Sequence, residues 1–190
     1  MAERFTSKVG LMSARDALLD AYQSLLLTEG QRATTLTAVA AEAGVSKGGL
    51  LYHFASKEAL AEGLLERLDE LLGEDLAEMA SAADGPSRYY VRTSVWTGGA
   101  LDRAFVAVSQ LAQEAHAGAR EAMNRARRRW LDLIREEVGE EVTAQAILLL
   151  GDGLYFDAAL SGGTDPERED VFSAMDLLPI VDRLLAAARA

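Results

Sequence analysis

"AGVSKGGLLYHF", residues Ala43 to Phe54, decides the fold. Leu50 to Phe54 reads as a short helix, yet Gly48 and Gly49 stand at its start, where each costs roughly 0.5–1 kcal/mol against Ala. Gly44 can take the left-handed conformation that closes a preceding helix, Val45 supplies an apolar anchor, and Ser46 is placed to cap a new helix. Two helices joined by so short a turn cross steeply. This is a helix-turn-helix arrangement, whose second helix projects and can lie in a DNA major groove. Lys47, Gly48 and Gly49 fall in its first turn, where backbone N–H groups are unpaired. Bare glycines there permit close approach of a phosphate or base edge, and Lys47 adds a cation. Leu50 and Phe54, four apart on one face, are expected to dock the helix on its neighbours.

The flanking sequence completes the unit. Leu18, Ala21, Tyr22, Leu25 and Leu26 recur at helical spacing, with Ser13 and Asp16 as a capping box and Gly30 as the stop. Thr34 or Thr35 caps a second helix whose inner face is Leu36, Val39, Ala40 and Ala43. Downstream, Ser56 caps a third boundary and Lys57 takes the first helical position, where a cation is unfavourable by a few tenths of a kcal/mol. A phosphate nearby would reverse that sign. Leu60, Leu64, Leu68, Leu72, Leu76 and Met79 then predict one helix to about Ala83, roughly 40 Å long.

The whole chain predicts an all-α protein. Its 190 residues include three prolines, no cysteine and 49% hydrophobic residues, without alternating β-branched runs bounded by turns. The absence of cysteine excludes disulfides and thiolate metal sites. No signal-peptide core opens the sequence and no stretch reaches ~18 uncharged apolar residues, so a soluble, cytoplasmic protein without membrane association is expected. Two scattered histidines, no Glu-x-x-His pair and no strand-led phosphate loop argue against an enzyme, and predict no catalytic residues, cofactor or metal. The net charge of −11 is unevenly held. Residues 1–56 carry five basic and five acidic side chains, leaving 14 basic against 25 acidic in the remainder. Two regions with different electrostatic roles follow.

The stretch "ATTLTAVAAEAGVSKGGLLYHFASKEAL" closely resembles the signature of the TetR-type (TetR/AcrR) transcriptional regulators, over about Ala14 to Leu65. The resemblance implies a homodimeric repressor that binds a palindromic double-stranded DNA operator and is released by a small-molecule effector. It implies three parts: residues 1–56 for DNA binding, 57–83 as a connecting helix, and 84–190 for ligand binding and dimerisation. Thr34, Thr35, Ser46, Lys47, Gly48, Gly49, Leu51, Tyr52, His53 and Lys57 would then face the operator. The alternative is a helical ligand-binding or protein-interaction module that does not bind DNA.

Beyond the signature the sequence offers pattern only. Trp96, Phe105, Trp130 and Tyr155 come from segments spread along the second region and are candidates to line an effector pocket. An acidic balance would suit a cationic effector, although solubility accounts for it equally. "RARRRW", residues 125–130, resembles a nucleic-acid patch, but Arg125, Arg128 and Arg129 fall on the outer face of a helix with Glu136 and Glu137 available for pairing. Ala144, Leu148, Gly151, Tyr155 and Ala158 form a stripe with small members, read as a dimer interface with a last helix that bends or restarts at Pro179.

Overall fold

The computed structural model describes residues 13–160 and 173–189, with the side chains of 158–160 left out. Among these residues the protein is all-α. Nine helices follow in order: α1 (Ala14–Ala33), α2 (Leu36–Glu42), α3 (Lys47–His53), α4 (Lys57–Ala80), α5 (Pro86–Thr93), α6 (Ala100–Gln113), α7 (Ala117–Val138), α8 (Glu141–Leu160) and α9 (Ala174–Ala188). Two compact units divide the chain, one ending at Leu64 and the other starting at Leu65.

In the first unit the capping chemistry agrees with the sequence. Ser13 Oγ accepts from the Asp16 amide, Thr35 Oγ1 from that of Ala38, and Ser56 Oγ from that of Ala59. Gly30, at φ +76°, breaks the regular part of α1 as expected, and a last turn carries the chain on to Ala33. Leu18, Leu19, Tyr22, Leu26, Val39, Leu50, Phe54, Leu60 and Leu64 are buried as its core. Gly63 has a packing reason that the sequence does not advertise. A Cβ there would stand 2.8 Å from Phe54 Cε1 and 3.1 Å from Leu19 Cδ2, so the bare backbone admits the Phe54 ring.

The second unit packs α5 to α9 with the carboxyl-terminal part of α4 around a core that includes Leu72, Met79, Tyr90, Ile134, Ile147, Leu148 and Val181. Glu137 of α7 accepts from the Ser87 amide at the start of α5, and Gly85 leaves room for its carboxylate. The long helix from Lys57 ends at Ala80, three residues short of the predicted Ala83. The last helix starts at Ala174 and includes Pro179 within it, so it does not restart there.

Here the predicted dimer stripe is corrected. Ala144 and Leu148 are fully buried in the unit's own core, and Tyr155 joins a ring cluster inside it. Gly151 answers α5 rather than a second chain: a Cβ would overlap the Tyr90 ring and lie 2.7 Å from Ser94 Oγ. The Ala158 side chain lies outside the described residues. The outward face of α8 instead carries Val142, Leu149 and Phe156, all exposed. Periodicity alone ranks two apolar stripes of one helix equally, and only the packing of α5 distinguishes them.

The close approach of α5 predicts that Gly151→Ala destabilises the protein by roughly 1–3 kcal/mol through overpacking, whereas Gly153→Ala, with nothing within 4 Å, does not. Thermal unfolding of the two variants checks this.

Candidate functional site

The turn from Gly44 to Ser46 is built from backbone first. Gly44 adopts φ +65°, its amide donates to the Ala41 carbonyl, and the Val45 amide donates to that of Ala40. Ser46, extended at φ −64° and ψ 153°, accepts from the Gly49 amide at 3.0 Å and starts α3. On α3, Leu50 points into the unit and is fully buried, followed by Phe54 just beyond the helix. Lys47, Gly48, Leu51, Tyr52 and His53 are exposed. Tyr52 is 86% exposed and meets the His53 ring edge-on at 5.1 Å.

The two glycines have different reasons. A Cβ at Gly48 would meet nothing closer than Ser46 Oγ at 4.0 Å, so its surface is open. At Gly49 it would stand 2.8 Å from Val45 Cγ1, so the tightness of the turn requires that glycine whatever the helix touches. One further expectation is corrected. Thr34 is 0% exposed and its hydroxyl donates to the Gly30 carbonyl at 2.8 Å, closing the end of α1; its side chain does not reach the surface. Lys57, half-buried, donates to the Gln31 carbonyl, a contact within the unit that helps to offset a cation at a helix start. Thr35 stays exposed while capping α2.

In the second unit, the four predicted pocket aromatics come together. Phe105 lies 5.7 Å from Trp130 and 5.7 Å from Tyr155 between ring centroids, and Tyr155 lies 6.3 Å from Trp96. Tyr90, which the sequence reading did not single out, extends the row at 5.8 Å from Trp130. Carboxylates border it. Asp75 accepts from Trp130 Nε1 at 2.8 Å and from the Tyr89 hydroxyl at 3.2 Å. Asp102 accepts from the Thr97 and Gly99 amides and the Thr97 hydroxyl. Asp152 accepts from the Tyr90 hydroxyl and pairs with Arg127 at 2.8 Å. Burial raises the Asp75 carboxyl above the usual carboxylate range; hydrogen bonds from Trp130 and Tyr89 oppose this, and the charges of Glu78 and Asp102 add to it. Burial, then Asp102, pushes the Tyr155 hydroxyl far above its ordinary value.

The arginine-rich segment of α7 is an ion-paired face. Arg125 pairs with Glu121 at 3.1 Å and Arg129 with Asp69 at 2.9 Å, so the partners are not the Glu136 and Glu137 that sequence spacing offered.

Comparison with known proteins agrees with this two-unit reading. The family model described as "Bacterial regulatory proteins, tetR family" matches residues 18–64, and "Tetracyclin repressor-like, C-terminal domain" matches residues 84–188. The chain belongs to the TetR family. Within it, the sequence is 38% identical over 76 residues to the HTH-type transcriptional repressor KstR2 of Rhodococcus jostii (strain RHA1), a match that takes in 40% of this chain and 37% of that relative. The chain thus spans well under half the length of that curated relative. Among solved structures it resembles the multidrug binding protein EbrR complexed with imidazole, at TM-score 0.64 and 20% identity over 92% of this chain and 96% of that one. A transcriptional regulator from Saccharomonospora viridis in complex with choline gives TM-score 0.65 and 21% identity, covering 93% of each chain. These two likenesses establish a shared fold.

What the TetR signature could not reveal are the residues that support the site from outside it: Gly63 beneath Phe54, and Asp75, Tyr89 and Asp102 around the rings. Asp75 had a sequence signal in hindsight, an acid on the partly buried flank of an amphipathic helix. Its raised pKa has a consequence for stability. The folded state holds the Asp75 proton more tightly than the unfolded state, so this group's contribution to stability is lost as pH rises from the ordinary carboxylate range through the raised folded value. Asp75→Asn is expected to flatten that part of the stability profile, read by urea unfolding across the acidic range.

Proposed function

We propose that this chain is a ligand-responsive transcriptional repressor that binds a roughly palindromic operator as a homodimer and leaves it when a small molecule occupies the ring cluster. The observation that carries the reading is the outer surface of α3: Leu51, Tyr52, His53 and Lys47 exposed together on a helix held by Leu50 and Phe54. Solvent-facing aromatic and apolar side chains contribute nothing to the unit's core, and their type suits base edges and phosphates. Leu51 offers an apolar contact to a thymine methyl, while Tyr52 and His53 offer hydrogen bonds. Lys47, Thr35 and the open backbone at Gly48 set the register on the duplex. Residues 1–56 read the operator, 57–83 connect, and 84–190 take the effector and the second protomer.

The dimer reading rests on α8 and α9. Val142, Leu149 and Phe156 recur every seven residues and are 73%, 58% and 65% exposed, with Met175 of α9 also exposed. A seven-residue spacing keeps side chains on one helix face, and a two-fold axis would bury the same stripe from both chains. Two α3 helices so paired would enter successive major grooves about 34 Å apart. Coupling is assigned to α4. Its residues belong to the first unit up to Leu64 and to the second from Leu65, with Lys57 in the one and Asp75 in the other. An effector that prefers the non-binding arrangement by a few kcal/mol then weakens operator affinity.

The test is titration of the full chain against DNA flanking its own gene at two salt concentrations. Specific retention that weakens at higher salt, and is lost in Lys47→Glu and reduced about tenfold or more in Tyr52→Ala with unchanged thermal stability, supports the reading. Retention equal in all three proteins overturns it, as does an absence of binding, which favours an effector-binding module without DNA. Separately, Leu149→Asp and Phe156→Asp are each expected to shift the protein from dimer to monomer at micromolar concentration in light scattering.

A further inference from the structure

The ring row carries more negative charge on its border than the residues around it neutralise. Among the described residues Asp75 is held by neutral donors, the Trp130 indole and the Tyr89 hydroxyl, which it shares with Glu78. Asp102 is held by two amides and the Thr97 hydroxyl. The charges of Asp102 and Glu78 both reach Asp75. The arginines in the vicinity are engaged elsewhere: Arg127 with Asp152, Arg129 with Asp69, Arg92 with Asp84 and Arg103 with the Gly98 carbonyl. Arg92 also lies over the Tyr89 ring, 5.4 Å from its centroid, while it pairs with Asp84. The buried Tyr155 hydroxyl lies within reach of the charge of Asp102.

We propose that the effector is a lipophilic organic cation, bound on the faces of Trp96, Tyr155, Phe105 and Trp130 with Asp75 and Asp102 as its counter-charges. This rests on the reading of the ring cluster as the effector site. Each aromatic face attracts a cation, more strongly when water is excluded, and the two carboxylates add a field that a neutral or anionic ligand cannot use. Trp96 supplies the entry. It stands between α5 and α6 on a short segment held to Asp102 through Thr97 and Gly99, with Gly98 at φ +70°. A cation drawing on Asp102 competes with those three hydrogen bonds, freeing Trp96 to part from Tyr155 and admit the ligand. The same field disfavours anions, so the charge that attracts also selects.

The experiment uses three probes of similar shape and different charge: tetraphenylphosphonium, tetraphenylborate and neutral triphenylphosphine oxide. Each is titrated into the full chain while the fluorescence of its two tryptophans, Trp96 and Trp130, is followed. The phosphonium is expected to bind about tenfold or more tightly than either of the others. Asp75→Asn and Asp102→Asn are each expected to weaken it about tenfold while leaving the neutral probe unchanged; Asp84→Asn, which removes a charge paired with Arg92, leaves both unchanged. Equal or tighter binding of the borate or the neutral probe overturns the cation assignment while leaving the site in place. Full phosphonium affinity in both folded Asn variants also overturns it. Should an Asn variant fail to fold by circular dichroism, the comparison of probes in the parent chain decides. If none of the three changes the tryptophan signal, the ring row is not the effector site and both readings fall.

Discussion

A helix of two turns has no stability of its own in water, and α3 exists because Leu50 and Phe54 are buried beneath it. Everything the first unit presents depends on that anchorage. The left-handed Gly44 reverses the chain, Ser46 caps the new helix, Gly49 clears Val45, and Gly63 makes room for the Phe54 ring. Remove any of these and the exposed residues of α3 lose their fixed direction. Two of the four are glycines whose reason is local packing, so part of what resembles a nucleic-acid contact in the sequence is the geometry of a tight corner.

The second unit solves a different problem. Its ring row is bordered by half-buried carboxylates, and withdrawing an anion from water is unfavourable unless donors surround it. Trp130 and Tyr89 serve Asp75, the Thr97 and Gly99 amides serve Asp102, and Arg127 with Tyr90 serves Asp152. Only the last includes a cation. A border short of positive charge in this way takes its meaning from what can complete it.

The first unit was legible in the sequence because its determinants are local. Caps, a left-handed glycine and a four-residue spacing of apolar anchors are all written within a dozen positions, and α1 to α4 start where those signals put them. Thr34 shows the limit: two adjacent threonines are equivalent on paper, and the structure uses Thr35 as the cap of α2 while turning Thr34 inward to Gly30. In the second unit the determinants are distant. That Trp96, Phe105, Trp130 and Tyr155 meet was foreseeable from their chemistry, but Asp75 reaches them from α4, 55 positions before Trp130 in the chain. Gly151 was rightly read as a point of close helix approach, and wrongly given to a second protomer, because spacing reports a helix face without saying what covers it.

The separation of anchor from outer surface in α3 has an evolutionary consequence. Leu51, Tyr52 and His53 hold up nothing, while Leu50 and Phe54 hold up everything, on alternating sides of one short segment. In the operator-reading role proposed for α3, preference can therefore drift by exchange of the outer side chains at no thermodynamic penalty to folding, and descendants of such a gene can acquire new targets without first acquiring a new scaffold.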